Sequence, residues 1–281
     1  MPVAAVEIKA YERVAVRPLT GSIGAEVTDV DLRDVDEDTF AELRDAWLTY
    51  KVLVYRDQTL DQAQQVAFGR RWGDLEVHPF ATNVEAFPEL LILESTPERF
   101  DAAESWHSDV TFRACPSMGS ILRAVVLPPV GGDTVFANME LAYEQLSDEL
   151  KDQIEGRFAV HSMMKSFGRH MSPEKRAKAM EEFPDQHHPI VRTHPETGRR
   201  SLYVNRVFTT GIVDMDPVEA KPLLERLERQ AHVPQFQCRV RWAPGSLTQW
   251  DNRCTQHYAV PDYAGHHRRM ERVTLAGDRP F

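Results

Sequence analysis

The sequence contains little cysteine and no cysteine pair. Only 3 of its 281 residues are cysteine, and Cys115, Cys238 and Cys254 lie far apart with no Cys-x-x-Cys spacing. An odd number of dispersed thiols argues against a disulfide framework and against a cysteine-based zinc or redox motif. We therefore expect a reduced compartment in which all three side chains are packing residues.

The sequence is also short of positive charge and has no long hydrophobic run. It has 33 Lys and Arg against 43 Asp and Glu, which gives a formal net charge of -10, and the basic residues form no block. Nucleic acid and anionic membrane surfaces are bound through clustered positive charge, so neither is an expected partner. No segment approaches the roughly 18 apolar residues of a membrane helix, and the N-terminus is too charged for a signal peptide. We expect a cytoplasmic protein that binds small anionic molecules through arginines placed inside a pocket.

Short strand-like segments separated by turns recur along the chain. Segments 52–55, 120–127 and 246–250 read as strands, whereas 40–50 has the apolar spacing of an amphipathic helix. There is no internal repeat, low-complexity run or flexible linker, which favours a single domain over residues 1–281. Many short strands with helices mainly on the outside predict an α+β fold, namely a double-stranded β-helix (jelly-roll) core flanked by helices.

One polar segment interrupts the series of strands. Residues from about 163 to 188 are rich in Lys, Arg, Glu, His and Met, and Ser172-Pro173 reads as the start of a helix within them. Long insertions of this kind are often lids over a site, but a solvated surface excursion fits the same composition. The sequence leaves both interpretations open.

A His-x-Asp pair stands in the alternating segment 105–112, Ser-Trp-His-Ser-Asp-Val-Thr-Phe. The alternation predicts a strand, and in a strand His107 and Asp109 point to the same face. A neutral imidazole and a carboxylate are two of the three ligands in the facial triad that binds non-haem Fe(II). By itself the pair also fits two unrelated polar residues on one strand.

A facial triad needs a second histidine from a neighbouring strand. Among the remaining histidines, His257 stands out because the apolar segment 247–250 runs into the turn-forming and hydrogen-bonding residues 251–256 just before it. Such neighbours are suited to fixing the orientation of an imidazole. His257 is therefore the candidate for the third ligand.

Four blocks of the sequence closely resemble the taurine dioxygenase family of Fe(II)/2-oxoglutarate-dependent dioxygenases. They are Trp-His-Ser-Asp-Val-Thr-Phe at 106–112, Gly-Gly-Asp-Thr at 131–134, Trp-Asp-Asn-Arg-Cys-Thr-Gln-His-Tyr-Ala at 250–259 and Arg-Arg-Met-Glu-Arg-Val-Thr at 268–274. The blocks follow the order and spacing of the family, and the resemblance covers most of the chain. It implies an enzyme with Fe(II) as cofactor and 2-oxoglutarate and O2 as co-substrates, assembled as a homodimer or homotetramer.

The resemblance implies roles for five residues at the metal and 2-oxoglutarate sites. His107, Asp109 and His257 would bind one face of the iron and leave the other face open for 2-oxoglutarate and O2. Arg268 would bind the far carboxylate of 2-oxoglutarate through its guanidinium fork, helped by the hydroxyl of Thr134.

The substrate side is implied by four further positions. Arg272 lies four residues after Arg268, so on a strand the two guanidiniums share a face. By resemblance, Arg272 and His78 would bind the anionic end of the substrate. Phe167 and Phe208 match aromatic positions of the family's substrate pocket, although core packing explains them equally well.

Two positions depart from the pattern of taurine-specific relatives. Ala81 stands where a tyrosine is expected and Ala103 where an asparagine is expected, both near the amine of the substrate. Both changes would remove hydrogen bonds to an ammonium group while the arginines that bind the anion remain. Taurine itself is therefore a less secure substrate than a small sulfonate, sulfate ester or carboxylate.

We expect a dioxygenase that hydroxylates the carbon next to sulfur in taurine or a related alkylsulfonate. Its products would be sulfite, an aldehyde, succinate and CO2. An alkylsulfate or aryloxyalkanoate dioxygenase would use the same metal site, and a catalytically silent ligand-binding relative is the non-enzymatic alternative.

Overall fold

The computed structural model describes residues 5–77, 83–100, 103–168 and 171–281. The helices of these ranges, numbered in chain order, are α1 Glu37–Tyr50, α2 Gln62–Trp72, α3 Met139–Glu144, α4 Asp148–Ile154, α5 Pro173–Glu182 and α6 Pro217–Glu228. The strands are β1 Ala15–Pro18, β2 Ala25–Thr28, β3 Val52–Tyr55, β4 Asn83–Val84, β5 Phe87–Ser95, β6 Gly119–Val126, β7 Thr134–Asn138, β8 Phe158–His161, β9 Gln186–Pro189, β10 Val191–Thr193, β11 Arg200–Leu202, β12 Thr209–Ile212, β13 Gln237–Val240, β14 Leu247–Asp251, β15 Thr255–Ala259 and β16 Arg268–Leu275.

Side-chain caps set where the long helices begin. The Asp36 carboxylate accepts a hydrogen bond from the Thr39 backbone N–H at the start of α1, and Asp61 forms a reciprocal capping box with Gln64 at the start of α2. Such bonds satisfy backbone donors that have no partner inside the helix. Asp216 caps α6 in the same way, directly before a proline. The helix predicted over residues 40–50 is confirmed as part of α1.

The strands form one large sheet and one small sheet that face each other. In the large sheet the strand order is β1-β2-β3-β14-β6-β16-β5-β4, and in the small sheet it is β13-β7-β15. All neighbours in both sheets are antiparallel except β2 and β3. The remaining strands of the described chain pair as β12-β8-β9 and β10-β11.

A buried apolar layer fills the space between the large and small sheets. Leu122, Trp250 and Met270 contribute to it from the large sheet, and Phe136 and Val240 from the small sheet. Because side chains alternate along a strand, the neighbouring residues on the large sheet face the other way and pack against α1 and α2. Two largely antiparallel sheets enclosing one core, with helices outside, confirm the predicted jelly roll.

The segment from about 163 to 188 is partly integrated into the fold. It contains α5, capped by Ser172, and it ends in β9, which pairs with β8. The side chains of Met163, Ala179 and Phe183 pack with residues next to the His-x-Asp pair. Whether the segment closes over a site stays a prediction.

The thiols and the helices bear on two further predictions. Cys238 and Cys254 are buried as expected, but Cys115 is exposed, so its prediction as a packing residue is wrong.

In the described part of the chain, no helix has both the length and the apolar character needed to span a membrane.

Candidate active site

The His-x-Asp pair lies in a turn rather than in the predicted strand. Only His107 pairs with another segment, through one antiparallel bridge to His257 on β15. Each of these residues donates its backbone N–H to the carbonyl of the other, at 3.1 and 2.8 Å. The chain then turns at Asp109, so the alternation of residues 105–112 does not reflect an extended segment.

A left-handed residue causes this turn. Val110 has a φ of 44° and is buried, although a β-branched side chain is strongly disfavoured in this region of φ. Such strain persists only when the surrounding structure enforces it, and it is concentrated at functional sites. Val110 directly follows Asp109, so the strained residue lies immediately beside that carboxylate.

The structure brings His107, Asp109 and His257 together inside the jelly roll. One ligand atom from each lies within 4.8 Å of the others, and all three side chains are buried. His257 is the cross-strand partner of Phe136, whose side chain belongs to the core between the sheets. The third histidine therefore points into the space between the sheets.

The protonation states of this group suit a metal. The Nδ1 of His107 lies 2.7 Å from the Ser105 carbonyl and must donate to it, which leaves Nε2 with a free lone pair. Burial lowers the pKa of His107, and burial together with the His107 ring lowers the pKa of His257 to about 3. Both imidazoles are thus neutral near pH 7. Metal ligation requires this form.

Asp109 is charged despite its burial. Burial alone would raise its pKa, but the Arg272 guanidinium and the adjacent imidazoles outweigh that effect, so the pKa lies well below its usual value. Two neutral imidazoles and one carboxylate fit the donor set of a facial Fe(II) site. The three side chains are therefore chemically suited to hold Fe(II).

Two arginines of β16 project into the same interior. Arg268, Met270 and Arg272 share one face of the strand, and Met270 belongs to the core between the sheets. Both arginines are buried, with 8% of each residue exposed, and the Nε atom of each has no hydrogen-bond partner among the described residues. A buried donor without a partner is costly, which makes these atoms available to an anionic ligand.

Arg268 lies beside Gly132, two residues before the predicted Thr134. Its Nη2 donates to the Gly132 carbonyl at 3.2 Å, and its guanidinium lies 5.4 Å from the centre of the Tyr263 ring. Gly132 has a φ of 73°, and a Cβ there would lie 3.1 Å from Arg268 Nε. Thr134 follows on β7, and its Oγ1 accepts a hydrogen bond from Trp242 Nε1 at 3.1 Å. The Thr134 hydroxyl proton stays free to donate.

Arg272 makes a contact that sequence reasoning missed. Its Nη1 donates to Asp109 Oδ1 at 2.9 Å, so it is bonded to one of the candidate metal ligands. Asn252 and Ser120 were also missed, and both donate to the other oxygen of Asp109. The only sequence signal for them is that Asn252 lies inside the block at 250–259.

The predicted aromatic positions lie beside the turn. Phe208 is 5.2 Å and Phe167 is 6.1 Å from Phe112, measured between ring centres. These rings form one apolar cluster with Val110. Ala103 is exposed, and its carbonyl accepts a hydrogen bond from the Ala259 backbone N–H, two residues after His257. His78 and Ala81 lie outside the described residues.

A second group of potential metal ligands is already occupied by hydrogen bonds. In the described ranges, His194, Asp251 and Cys254 also bring ligand atoms within 4.8 Å of one another. His194 Nδ1 accepts from two backbone N–H groups and Nε2 lies 3.0 Å from Asp251, while Arg253 bonds both carboxylate oxygens. This cluster therefore stabilises the fold and leaves no lone pairs arranged for a metal.

Comparison with known proteins places the chain among oxygenases. A family model described as Taurine catabolism dioxygenase TauD, TfdA family matches residues 15–274. An alkylsulfatase of Acinetobacter baylyi is 36% identical over 276 residues, across 95% of this chain and 86% of that protein. An (S)-phenoxypropionate/alpha-ketoglutarate-dioxygenase of Sphingobium herbicidovorans is 36% identical over 273 residues, across 94% and 95%. The crystal structure of a taurine dioxygenase from Burkholderia xenovorans has a TM-score of 0.83 and 37% identity, covering 96% of this chain and 91% of that one.

Proposed function

The chain belongs to the taurine catabolism dioxygenase TauD, TfdA family, and from this membership we propose its substrate class and the residues that bind each reactant. It is an enzyme, a non-haem dioxygenase that uses Fe(II), 2-oxoglutarate and O2. The predicted family, enzyme class and cofactors are confirmed. The assignment of individual residues is our proposal.

His107, Asp109 and His257 are the proposed iron ligands. The observation that carries this assignment is the convergence of their three ligand atoms within 4.8 Å in a buried interior. When bound, Fe(II) supplies the activation of O2 that side chains do not provide. The residues of the chain hold the metal on one face, keep both imidazoles neutral and exclude water from the apolar side of the site.

Arg268 and Thr134 are the proposed partners of the far carboxylate of 2-oxoglutarate. Arg268 has a buried Nε without a partner in the described chain, and Thr134 keeps a hydroxyl proton to donate. A guanidinium bound to a carboxylate in a buried site forms short, charge-assisted hydrogen bonds. The Gly132 carbonyl and the Tyr263 ring hold the guanidinium in position.

Arg272 is the proposed partner of the substrate's anionic end, together with His78. One nitrogen of its guanidinium is bonded to Asp109, and its Nε has no partner among the residues described. The fork can therefore contact Asp109 and an incoming anion at once. Phe167 and Phe208, beside Val110, would line the apolar part of the substrate pocket.

The proposed reaction is hydroxylation of the carbon next to sulfur in an alkylsulfonate. One oxygen atom of O2 enters succinate as 2-oxoglutarate loses CO2, and the other enters the substrate. The hydroxylated carbon then expels sulfite and becomes an aldehyde. Ala103 has no side-chain group that could bond an amine, which favours sulfonates without an ammonium group over taurine.

Sulfate esters and aryloxyalkanoates are the second candidate substrates. The relatives include an alkylsulfatase and a phenoxypropionate dioxygenase at the same 36% identity. All of these compounds present one compact anion to a guanidinium and a less polar remainder to the aromatic cluster. The same Arg272 would serve each of them, and the apolar remainder would decide among them.

Anaerobic reconstitution tests the metal and 2-oxoglutarate assignments. Fe(II) and 2-oxoglutarate added together to the wild-type protein should produce a weak visible charge-transfer band. The band should be absent in His107→Ala, which removes one ligand. A folded His107→Ala variant with the wild-type band would contradict the ligand assignment.

A substrate screen tests the substrate class. Succinate formation is measured with taurine, longer alkylsulfonates, alkyl sulfates and aryloxyacetates, each compared with a reaction lacking substrate. We expect a longer alkylsulfonate to give more substrate-dependent succinate than taurine. Strong preference for taurine would refute the argument from Ala103, and activity confined to sulfates or aryloxyacetates would select the second candidate.

A further inference from the structure

The two carboxylate oxygens of Asp109 lie in different surroundings. Oδ1 accepts from Arg272 Nη1 at 2.9 Å and lies 3.8 Å from His257 Nε2, so it faces the other proposed ligands. Oδ2 accepts from Ser120 Oγ at 3.0 Å and from Asn252 Nδ2 at 3.1 Å. Oδ2 is therefore held by two protein donors, whereas Oδ1 faces the other proposed ligands.

The orientation of the Asn252 amide follows from its own partners. Asn252 Oδ1 accepts from Trp250 Nε1 at 3.0 Å and from the Asp109 backbone N–H at 3.3 Å. Both of these groups can only donate, so the amide oxygen must face them and the amide nitrogen must face the carboxylate. Asn252 is 1% exposed and Trp250 is 2% exposed. The amide has no solvent with which to exchange these bonds.

Ser120 reaches the same oxygen from the large sheet. It lies on β6 two residues before Leu122, on the face that points into the core between the sheets. Its hydroxyl donates to Oδ2, and it is completely buried. Two donors from two different strand regions thus converge on one oxygen of a single carboxylate.

We propose that Asn252 and Ser120 are positioning residues that make Asp109 a ligand through Oδ1 alone. This inference rests on the proposed metal ligands. A free carboxylate can bind a metal through both oxygens, and doing so would fill a coordination position that 2-oxoglutarate or O2 needs. Two hydrogen bonds to Oδ2 occupy its lone pairs and turn it away from the metal. The two residues therefore preserve the open face of the iron.

Co(II) alone is the probe for this inference, because its visible absorption reports coordination number and its binding requires no turnover. Asn252→Ala and Ser120→Ala each remove one donor from Oδ2 without changing charge. We expect each to raise the Kd for Co(II) about 10- to 100-fold by calorimetry, the usual range for lost outer partners of a ligand. We also expect a changed visible spectrum of the bound Co(II), because a second carboxylate oxygen would replace a solvent ligand in one of the open positions.

Asn138→Ala is the matched control for loss of a buried asparagine. Asn138 is 2% exposed and caps α3, but none of its hydrogen bonds reaches Asp109. This variant should lose stability while keeping the wild-type Co(II) affinity and spectrum. Ser120→Ala is the smaller change of the test pair, so it keeps the test available should Asn252→Ala fail to fold.

Titration of His107→Ala with Co(II) separates the proposed metal ligands from the proposed positioning role of Asn252 and Ser120. Loss of Co(II) binding in His107→Ala, with wild-type affinity and spectrum in folded Ser120→Ala and Asn252→Ala, would overturn this inference and leave the ligand assignment standing. Unchanged Co(II) binding in His107→Ala would overturn both. Weakened binding and a changed spectrum in the two variants, but not in Asn138→Ala, would support the positioning role.

Discussion

Arg272 Nη1 donates a hydrogen bond to Asp109 Oδ1 at 2.9 Å, in a site where both residues are buried. One arginine therefore contacts a proposed metal ligand. Its Nε has no hydrogen-bond partner among the described residues and can bind a substrate anion. The proposed metal and substrate sites share this side chain. A change at Arg272 should consequently affect both sites.

Arg272→Lys should weaken substrate binding and, to a smaller extent, metal binding. A lysine keeps the charge but cannot contact Asp109 and a substrate anion with one planar fork. Because a hydrogen bond to a charged group contributes about 1.5–3 kcal/mol, the KM for the preferred substrate should rise about 10- to 100-fold. Steady-state succinate assays measure this change. An unaltered KM would show that the anion binds elsewhere.

Arg268→Lys should give the complementary result. The KM for 2-oxoglutarate should rise about 10- to 100-fold because the fork proposed to bind its far carboxylate is lost. The KM for the sulfonate or sulfate should change little, since the proposed partner of that anion is Arg272. The two lysine variants act as controls for each other. Equal effects of both variants on both KM values would contradict separate roles.

Val110 offers a test of backbone strain next to the metal site. Its φ of 44° favours glycine, so Val110→Gly should be more stable than Val110→Ala by about 1 kcal/mol in urea unfolding. Val54 is a buried position inside β3, where glycine normally destabilises a strand relative to alanine. Val54→Gly should therefore be less stable than Val54→Ala by about 0.5–1 kcal/mol. The same order at both positions would contradict a strained Val110.

His188 should make the protein less stable as the pH falls. Burial lowers its pKa from 6.5 to about 4, so above pH 6.5 it is neutral in both the folded and the unfolded chain. As the pH falls from 6.5 to 4, the unfolded chain takes up a proton that the folded protein does not, and stability is lost at up to about 1.4 kcal/mol per pH unit. His188→Gln keeps a donor for the Arg113 carbonyl but cannot titrate.

Urea unfolding of wild type and His188→Gln between pH 7 and pH 4.5 measures this contribution. The free energy of unfolding should fall less steeply with decreasing pH in the variant than in the wild type. Other titrating groups cancel in the comparison because they are present in both proteins. Parallel curves would rule out the assigned role of His188.

The sequence predicted helices better than it predicted the strands around the site. Ser172-Pro173 is a local start signal, so the beginning of α5 could be placed from a few adjacent residues. β15 was not predicted, because its inner face carries His257 and polar neighbours in place of an apolar alternation. A strand that lines a polar site lacks the periodicity by which a strand is ordinarily recognised.

The prediction of a strand over residues 105–112 was wrong for a related reason. The alternation of polar and apolar residues is real, but the chain turns at a left-handed Val110, next to contacts of Asp109 with Asn252 and Arg272 that lie far away in sequence. Motif resemblance named the three candidate ligands without needing these contacts. It gave no information on which oxygen of Asp109 faces the others, since that depends on packing between strands.

β16 carries both proposed anion-binding arginines at a separation of four residues. At about 3.3 Å per residue, their Cα atoms lie about 13 Å apart along a strand that is hydrogen-bonded on both sides. Deleting one residue between them would turn one guanidinium to the outer face of the sheet. If the proposed roles hold, the substrate range can change through substitutions around the aromatic cluster, whereas a change in the length of this strand would separate 2-oxoglutarate or the substrate anion from its proposed arginine.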